Sequence, residues 1–136
     1  MVARSHQDLV VHQKGYALAM DLFELSKGFP KEEKYSLTDQ VRRSSRSVTV
    51  NIAEAWARRR YEASFVARLT DSMAEAAETL DWISYARDCQ YLAETDYDRL
   101  TAAYGEVTRT LNAMVLHSKD WCKAERAFKP IQRHDN

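Results

Sequence analysis

Six polar residues between positions 40 and 58 recur at threes and fours: Gln40, Arg43, Ser47, Asn51, Glu54 and Arg58. On a helix that spacing gathers them into one stripe. A carboxylate, an amide and guanidinium groups on one stripe could hold an anion, orient a substrate, or bind one another. An unpaired polar group at a helix seam costs about 1–3 kcal/mol, so Asn51 and Glu54 require partners. Arg43, Ser47, and Ser72 or Glu75 farther along the chain are the candidates, and an arginine set between two carboxylates would satisfy both. Two readings stay open: a polar network that specifies the fold, or a ligand or catalytic site. If Glu54 is buried and paired, Glu54→Ala is expected to cost a few kcal/mol.

Other chemistry finds little support. Glu75 and Glu78 stand three apart, but no Glu-x-x-His accompanies them, as a carboxylate di-iron site in a bundle would require. With only 3 Gly the chain has no phosphate-cradling loop. The serines of Arg42-Arg43-Ser44-Ser45-Arg46-Ser47 have neither an adjacent His nor a glycine elbow. Arg109 and His117 share a segment, at a spacing too loose for a paired acid and base, and read as surface residues. Cys89 and Cys122 lie far apart without a C-x-x-C or a neighbouring His, and read as reduced, partly buried thiols. No catalytic residue, cofactor, metal or small-molecule substrate is expected.

The elements that must position the stripe follow from periodicity. In the first segment Val11, Gly15, Leu18, Leu22, Leu25 and Phe29 form one apolar line, closed by Gly28 and Pro30. Ser36 can cap a second helix whose first turn carries Asp39. Its core line is Leu37, Val41, Val48, Ile52 and Ala55, so the strand-like Val48-Thr49-Val50 is overruled by period and by the absence of bounding turns. A third line runs through Phe65, Leu69, Met73, Ala76, Leu80 and Ile83. After a capping signal at Thr95-Asp96, a fourth links Tyr97, Leu100, Tyr104, Val107, Leu111, Met114, Ser118 and Trp121. Four amphipathic helices with short connections predict an all-α, antiparallel up-and-down four-helix bundle over residues 1–122. The helices fall near 8–27, 36–60, 62–93 and 96–121, with a poorly ordered tail at 123–136. Gly15 and Gly105 lie inside helices, where each marks either a close helix contact or plain tolerance.

Charge and aromatic placement bear on partners. Lys+Arg and Asp+Glu number 20 each, so any attraction to nucleic acid must come from local patches. Residues 31–60 hold eight basic and four acidic side chains, whereas residues 62–98 hold two basic and nine acidic. Arg42, Arg46, Arg58, Arg59 and Arg60 are the candidates for phosphate contact, and pairing of this basic segment with the acidic one is the competing account. Val50, Ala53, Trp56, Ala57, Trp82 and Tyr85 lie off the core lines and are candidates for a homo-oligomer interface. The N-terminal stretch MVARSHQDLVVHQK has no hydrophobic signal region and no segment approaches the roughly 20 apolar residues of a membrane span. A soluble, cytoplasmic protein without a membrane partner is expected.

Phe29-Pro30, Glu33, Tyr35, Leu37, Gln40, Arg42-Arg43, Ser47-Val48, Asn51-Ile52-Ala53-Glu54, Phe65, Ser72 and Glu75 resemble the four helix bundle protein family, which includes proteins encoded by intervening sequences in 23S ribosomal RNA genes. The resemblance covers roughly residues 8–120, and the run Q-x-R-R-x-x-x-S-V-x-x-N-I-A-E is its specific part. It implies an up-and-down bundle assembling as a homopentamer, without an established enzyme activity. Related bundles are accessory proteins of diversity-generating reverse transcriptases, which implies RNA or DNA as a partner. Family members usually carry Gly after N-I-A-E, where this chain has Ala55 followed by Trp56.

Overall fold

The structure is a computed structural model that describes residues 3–127, with side chains through residue 123. Five helices follow one another: α1 (Val10–Ser26), α2 (Asp39–Ala57), α3 (Glu62–Asp88), α4 (Glu94–Leu116) and α5 (Ser118–Ala127). The long four form an up-and-down bundle, α1 and α3 each packing on α2 and on α4, and α5 folds back onto α3 and α4. No strand occurs among the described residues.

Each apolar line points inward. Leu22, Val41, Val48, Ile52, Phe65, Leu69, Ile83, Leu100, Tyr104, Val107 and Leu111 are almost wholly removed from water, and each large side chain so buried contributes about 1.5–3 kcal/mol. Ala55, directly after the N-I-A-E run, is also fully buried in α2. On the α1–α2 side, a Cβ at Gly15 would stand 3.1 Å from Thr49 Cγ2 and 3.6 Å from Val48 Cγ1, so the missing side chain is what lets the two helices close. Gly105 is different: a Cβ there would meet the Arg109 side chain at 3.4 Å, and that flexible chain is all that is near.

Several boundaries differ from those the sequence suggests. Helix α2 begins at Asp39 and is entered through a 3-10 turn at Lys31–Glu33 and a π-helical turn at Lys34–Thr38. Ser36 caps nothing; its hydroxyl donates to Glu33 Oε1 at 2.6 Å. Helix α3 stops at Asp88 rather than near 93, because Gln90 takes a left-handed φ of 66°. The Tyr91 N–H then reaches the Ala86 carbonyl at 2.8 Å and the Gln90 N–H the Arg87 carbonyl at 2.9 Å. This is a Schellman closure, usually built on Gly. Helix α4 starts at Glu94, two residues before the expected site, with Ala93 at the cap and no capping side chain. It breaks at His117, and α5 carries Ser118 and Cys122 into the core, so residues 123–127 are helical rather than tail. The rest of the expected tail, 128–136, lies outside the described residues. Cys122 is buried as expected, but Cys89 is exposed just past the end of α3.

Candidate functional site

The buried polar contact between α2 and α3 involves few of the residues the stripe singles out. Ser44, Ser45, Ser72 and Thr79 are all fully buried. The Ser44 and Thr79 hydroxyls share a hydrogen bond of 2.8 Å, and Thr79 Oγ1 also lies 2.9 Å from the Glu75 carbonyl. Ser72 donates to the Val48 carbonyl at 2.7 Å, and Ser45 to the Arg42 carbonyl at 3.1 Å. The small hydroxyls of Ser44, Ser72 and Thr79 let α2 and α3 approach closely while each keeps a hydrogen-bond partner. Of the seven residues proposed for the seam, Ser72 is the one placed inside it. The signal for Ser44, Ser45 and Thr79 is a gap: the α2 core line jumps from Val41 to Val48, and Ser44 and Ser45 fill the missing turn. On α3, Thr79 and Ser72 fill the intervals that Leu80 and Met73 only approximate, and those two are half-buried.

The remaining stripe forms a rim beside the seam. Gln40, Ser47 and Asn51 are half-buried, and Asn51 Nδ2 donates to the Ser47 carbonyl of its own helix at 2.9 Å. Glu54 is exposed and stands 3.4 Å from Arg68 Nε, which corrects the expectation of a buried carboxylate. An arginine does sit between two carboxylates, but it is Arg68, between Glu54 and Asp71, rather than Arg43. Arg43 is exposed and acts on Glu75 through its field. Partial burial pushes the Glu75 carboxyl above its usual range, with the Glu78 charge adding to that; Arg43 opposes the rise and Asp71 supports it. Nothing in this rim pairs a nucleophile with a base.

The five candidate phosphate-contacting arginines divide between the two ends of α2. Arg42 is committed to the fold: Nε donates to Ser26 Oγ at 2.8 Å and Nη2 to the Phe23 carbonyl at 3.4 Å, with the guanidinium 4.8 Å from the Phe23 ring centroid. It thereby sits on the negative C-terminal turn of α1. Arg46 lies over the same ring at 5.8 Å. Arg58, Arg59 and Arg60 follow sixteen residues later, about 24 Å along the helix axis at 1.5 Å per residue. There Arg58 and Arg60 are exposed, while Arg59 stacks 3.3 Å over Trp56 and donates Nε to the Trp56 carbonyl at 2.9 Å. Among the described residues an α2–α3 ion pair places the carboxylate, Glu54, on α2, while basic α2 meets acidic α3 through the field of Arg43 on Glu75.

Folding collects charge by end. The Ser118–Glu62 hydrogen bond of 2.8 Å holds the start of α5 beside the start of α3, and the turn at His6–Asp8 packs on α2. Exposed Arg4, Lys119 and Lys123 thereby join Arg58, Arg59 and Arg60 at one end of the bundle, with Asp8, Glu62 and Asp120 as its carboxylates. The opposite end carries Glu32, Glu33, Asp88, Glu94, Asp96 and Asp98 against Lys31, Lys34, Arg87 and Arg99.

The interface candidates also divide. On α2, Val50 is 54% exposed and Ala57 is exposed, with Ala53 and Trp56 half-buried. On α3, Tyr85 is 56% exposed beside half-buried Trp82, their ring centroids 6.1 Å apart, and Trp82 Nε1 donates to Glu78 Oε2 at 3.3 Å. Arg109 and His117 are exposed on α4 and at its end, and His117 Nδ1 lies 3.9 Å from Asp120. Among the described residues no group of three His, Cys, Asp or Glu could hold a metal ion, and no helix is long and apolar enough to cross a membrane.

A family model described as 23S rRNA-intervening sequence protein matches residues 7–113. Among solved structures, the chain is similar to a protein of unknown function from the S23 ribosomal protein family of Bacteroides thetaiotaomicron. That likeness has a TM-score of 0.71 at 26% sequence identity, covering 79% of this chain and 96% of the other. No curated protein matches. No enzyme family is indicated by these likenesses.

Proposed function

The chain belongs to the 23S rRNA-intervening sequence protein family, and we propose that it works as a cytoplasmic, non-enzymatic homo-oligomer, a pentamer, that holds RNA or DNA by its phosphates. The observation that carries this reading is exposed Arg58 and Arg60, with half-buried Arg59 between them, on the α2–α3 turn, at the end where Arg4, Lys119 and Lys123 are also exposed. Each of these cations brought to a phosphate releases condensed counterions. Assembly multiplies the effect, because a ring presents one such end per copy and so offers a charge density that the neutral whole chain lacks. Val50, Trp56, Ala57, Trp82 and Tyr85 supply the apolar surface that assembly would cover.

Salt dependence tests this reading directly. Fluorescence anisotropy with single-stranded RNA and with duplex DNA between 50 and 200 mM salt should show affinity falling by about tenfold or more. Arg58→Ala/Arg60→Ala should weaken binding to all sequences alike and shallow the salt slope by about one per lost contact. Binding weaker than about 10⁻⁴ M even at low salt would remove nucleic acid from the account. That outcome would favour a second reading, a protein-interaction scaffold with no nucleic-acid role.

A further inference from the structure

Two open grooves meet the start of α2. One, toward α1, is lined by Phe23, Asp39, Arg42, Arg43, Arg46 and Ser47. The other, toward the end of α3, is lined by Glu33, Leu37, Asp81, Trp82 and Tyr85 among others. We infer that these grooves are the two halves of one self-contact: the basic groove of one copy docks into the acidic, aromatic groove of a second copy, with Arg43 and Arg46 reaching Asp81 across Trp82 and Tyr85. This rests on the homo-oligomer proposed above and names the surfaces that build it.

Charge, stacking and height each support the match. Among the described residues Arg43, Arg46 and Asp81 make no ion pair within 4 Å, Arg43 acting on Glu75 only through its field and Arg46 lying over the Phe23 ring, so their charges stay open to a neighbour. Guanidinium groups elsewhere in this chain settle on half-buried rings, Arg59 at 3.3 Å from Trp56 and Arg87 at 3.9 Å from Tyr97, which is the contact half-buried Trp82 and exposed Tyr85 offer a second copy. The Ser44–Thr79 hydrogen bond fixes the antiparallel register that sets the first turns of α2 beside the last turns of α3. Both grooves therefore lie at the same level along the bundle. Two different patches at one level are what a heterologous contact needs in order to close into a ring whose axis follows the bundle. The Arg58–Arg60 turn, at the other end, would join copies end to end and is left outside the contact.

A charge swap decides the matter. Light-scattering masses are measured without nucleic acid for the full chain, for Arg46→Glu, for Asp81→Arg and for Arg46→Glu/Asp81→Arg, with melting curves to confirm folding. The full chain is expected to be oligomeric, each single variant to weaken association by about tenfold or more through like-charge contact, and the double variant to recover. Should Arg46→Glu fail to fold, Arg43→Glu takes its place, and should Asp81→Arg fail to fold, Asp81→Lys takes its place. An oligomer unmoved by both single changes, or a double variant no better than the singles, overturns the inference and leaves the oligomer standing. A monomeric full chain overturns both.

Discussion

Ser44 and Thr79 join α2 to α3 through one buried hydrogen bond of 2.8 Å, and that bond sets the scale at which single residues matter here. Thr79→Val keeps the volume but leaves the Ser44 hydroxyl only its 3.4 Å bond to the Val41 carbonyl, and should lower stability by about 0.5–1.5 kcal/mol. Glu54→Ala removes an exposed ion pair with Arg68 and should cost less than about 1 kcal/mol, rather than the few expected of a buried carboxylate. Urea denaturation of the two variants checks both values, and a larger loss for Glu54→Ala would contradict the observed exposure. Helical period placed Ser47, Asn51 and Glu54 correctly on a common stripe, but could not tell a seam from the rim next to it. A stripe one position around the helix is displaced by about 100°, and Ser or Thr carries no hydrophobic signature to mark it as core. The buried Tyr104 hydroxyl, which has no hydrogen-bond partner among the described residues and whose ionisation burial makes harder, is equally invisible to pattern.

Among the elements, the long helices were legible because their apolar lines run for many turns, and the ends were not because this chain closes them unconventionally. Helix α3 ends on Gln90 in the left-handed region, where a side chain costs about 1 kcal/mol and Gly is usual. Without the glycine, the expected helix ran on to Ala93. Gln90→Gly should relieve that cost and stabilise the fold by up to about 1 kcal/mol, part of the gain being returned as added freedom of the unfolded chain. Thermal melting reads the shift, and a lower melting temperature would mean that Gln90 contributes contacts beyond its backbone shape. At the start of α2 the difference runs the other way, since Ser36 resembles a cap yet lies within the π-helical turn that leads into Asp39. At His117 the line Met114, Ser118, Cys122 stays buried across a break in the backbone, so an unbroken periodicity concealed two helices.

For the whole molecule, the sequence divides charge by segment, and folding divides it by end. Residues 4, 58–60, 119 and 123 are remote along the chain, so their common location depends on contacts such as Ser118–Glu62 that no local pattern announces. Cross-bundle ion pairs, Lys14 with Glu106 and Arg99 with Asp21, tie α1 to α4 on the side away from α2 and α3. The α2–α3 side carries the groove with Trp82 and exposed Tyr85, and the α1–α2 side carries the other groove. Self-association therefore underlies both proposed surfaces, and the mass of the chain in solution tests it most directly. Static light scattering should give about five times the 15.7 kDa of one chain, as the proposed pentamer requires. A mass of one chain at every concentration up to the solubility limit would contradict it.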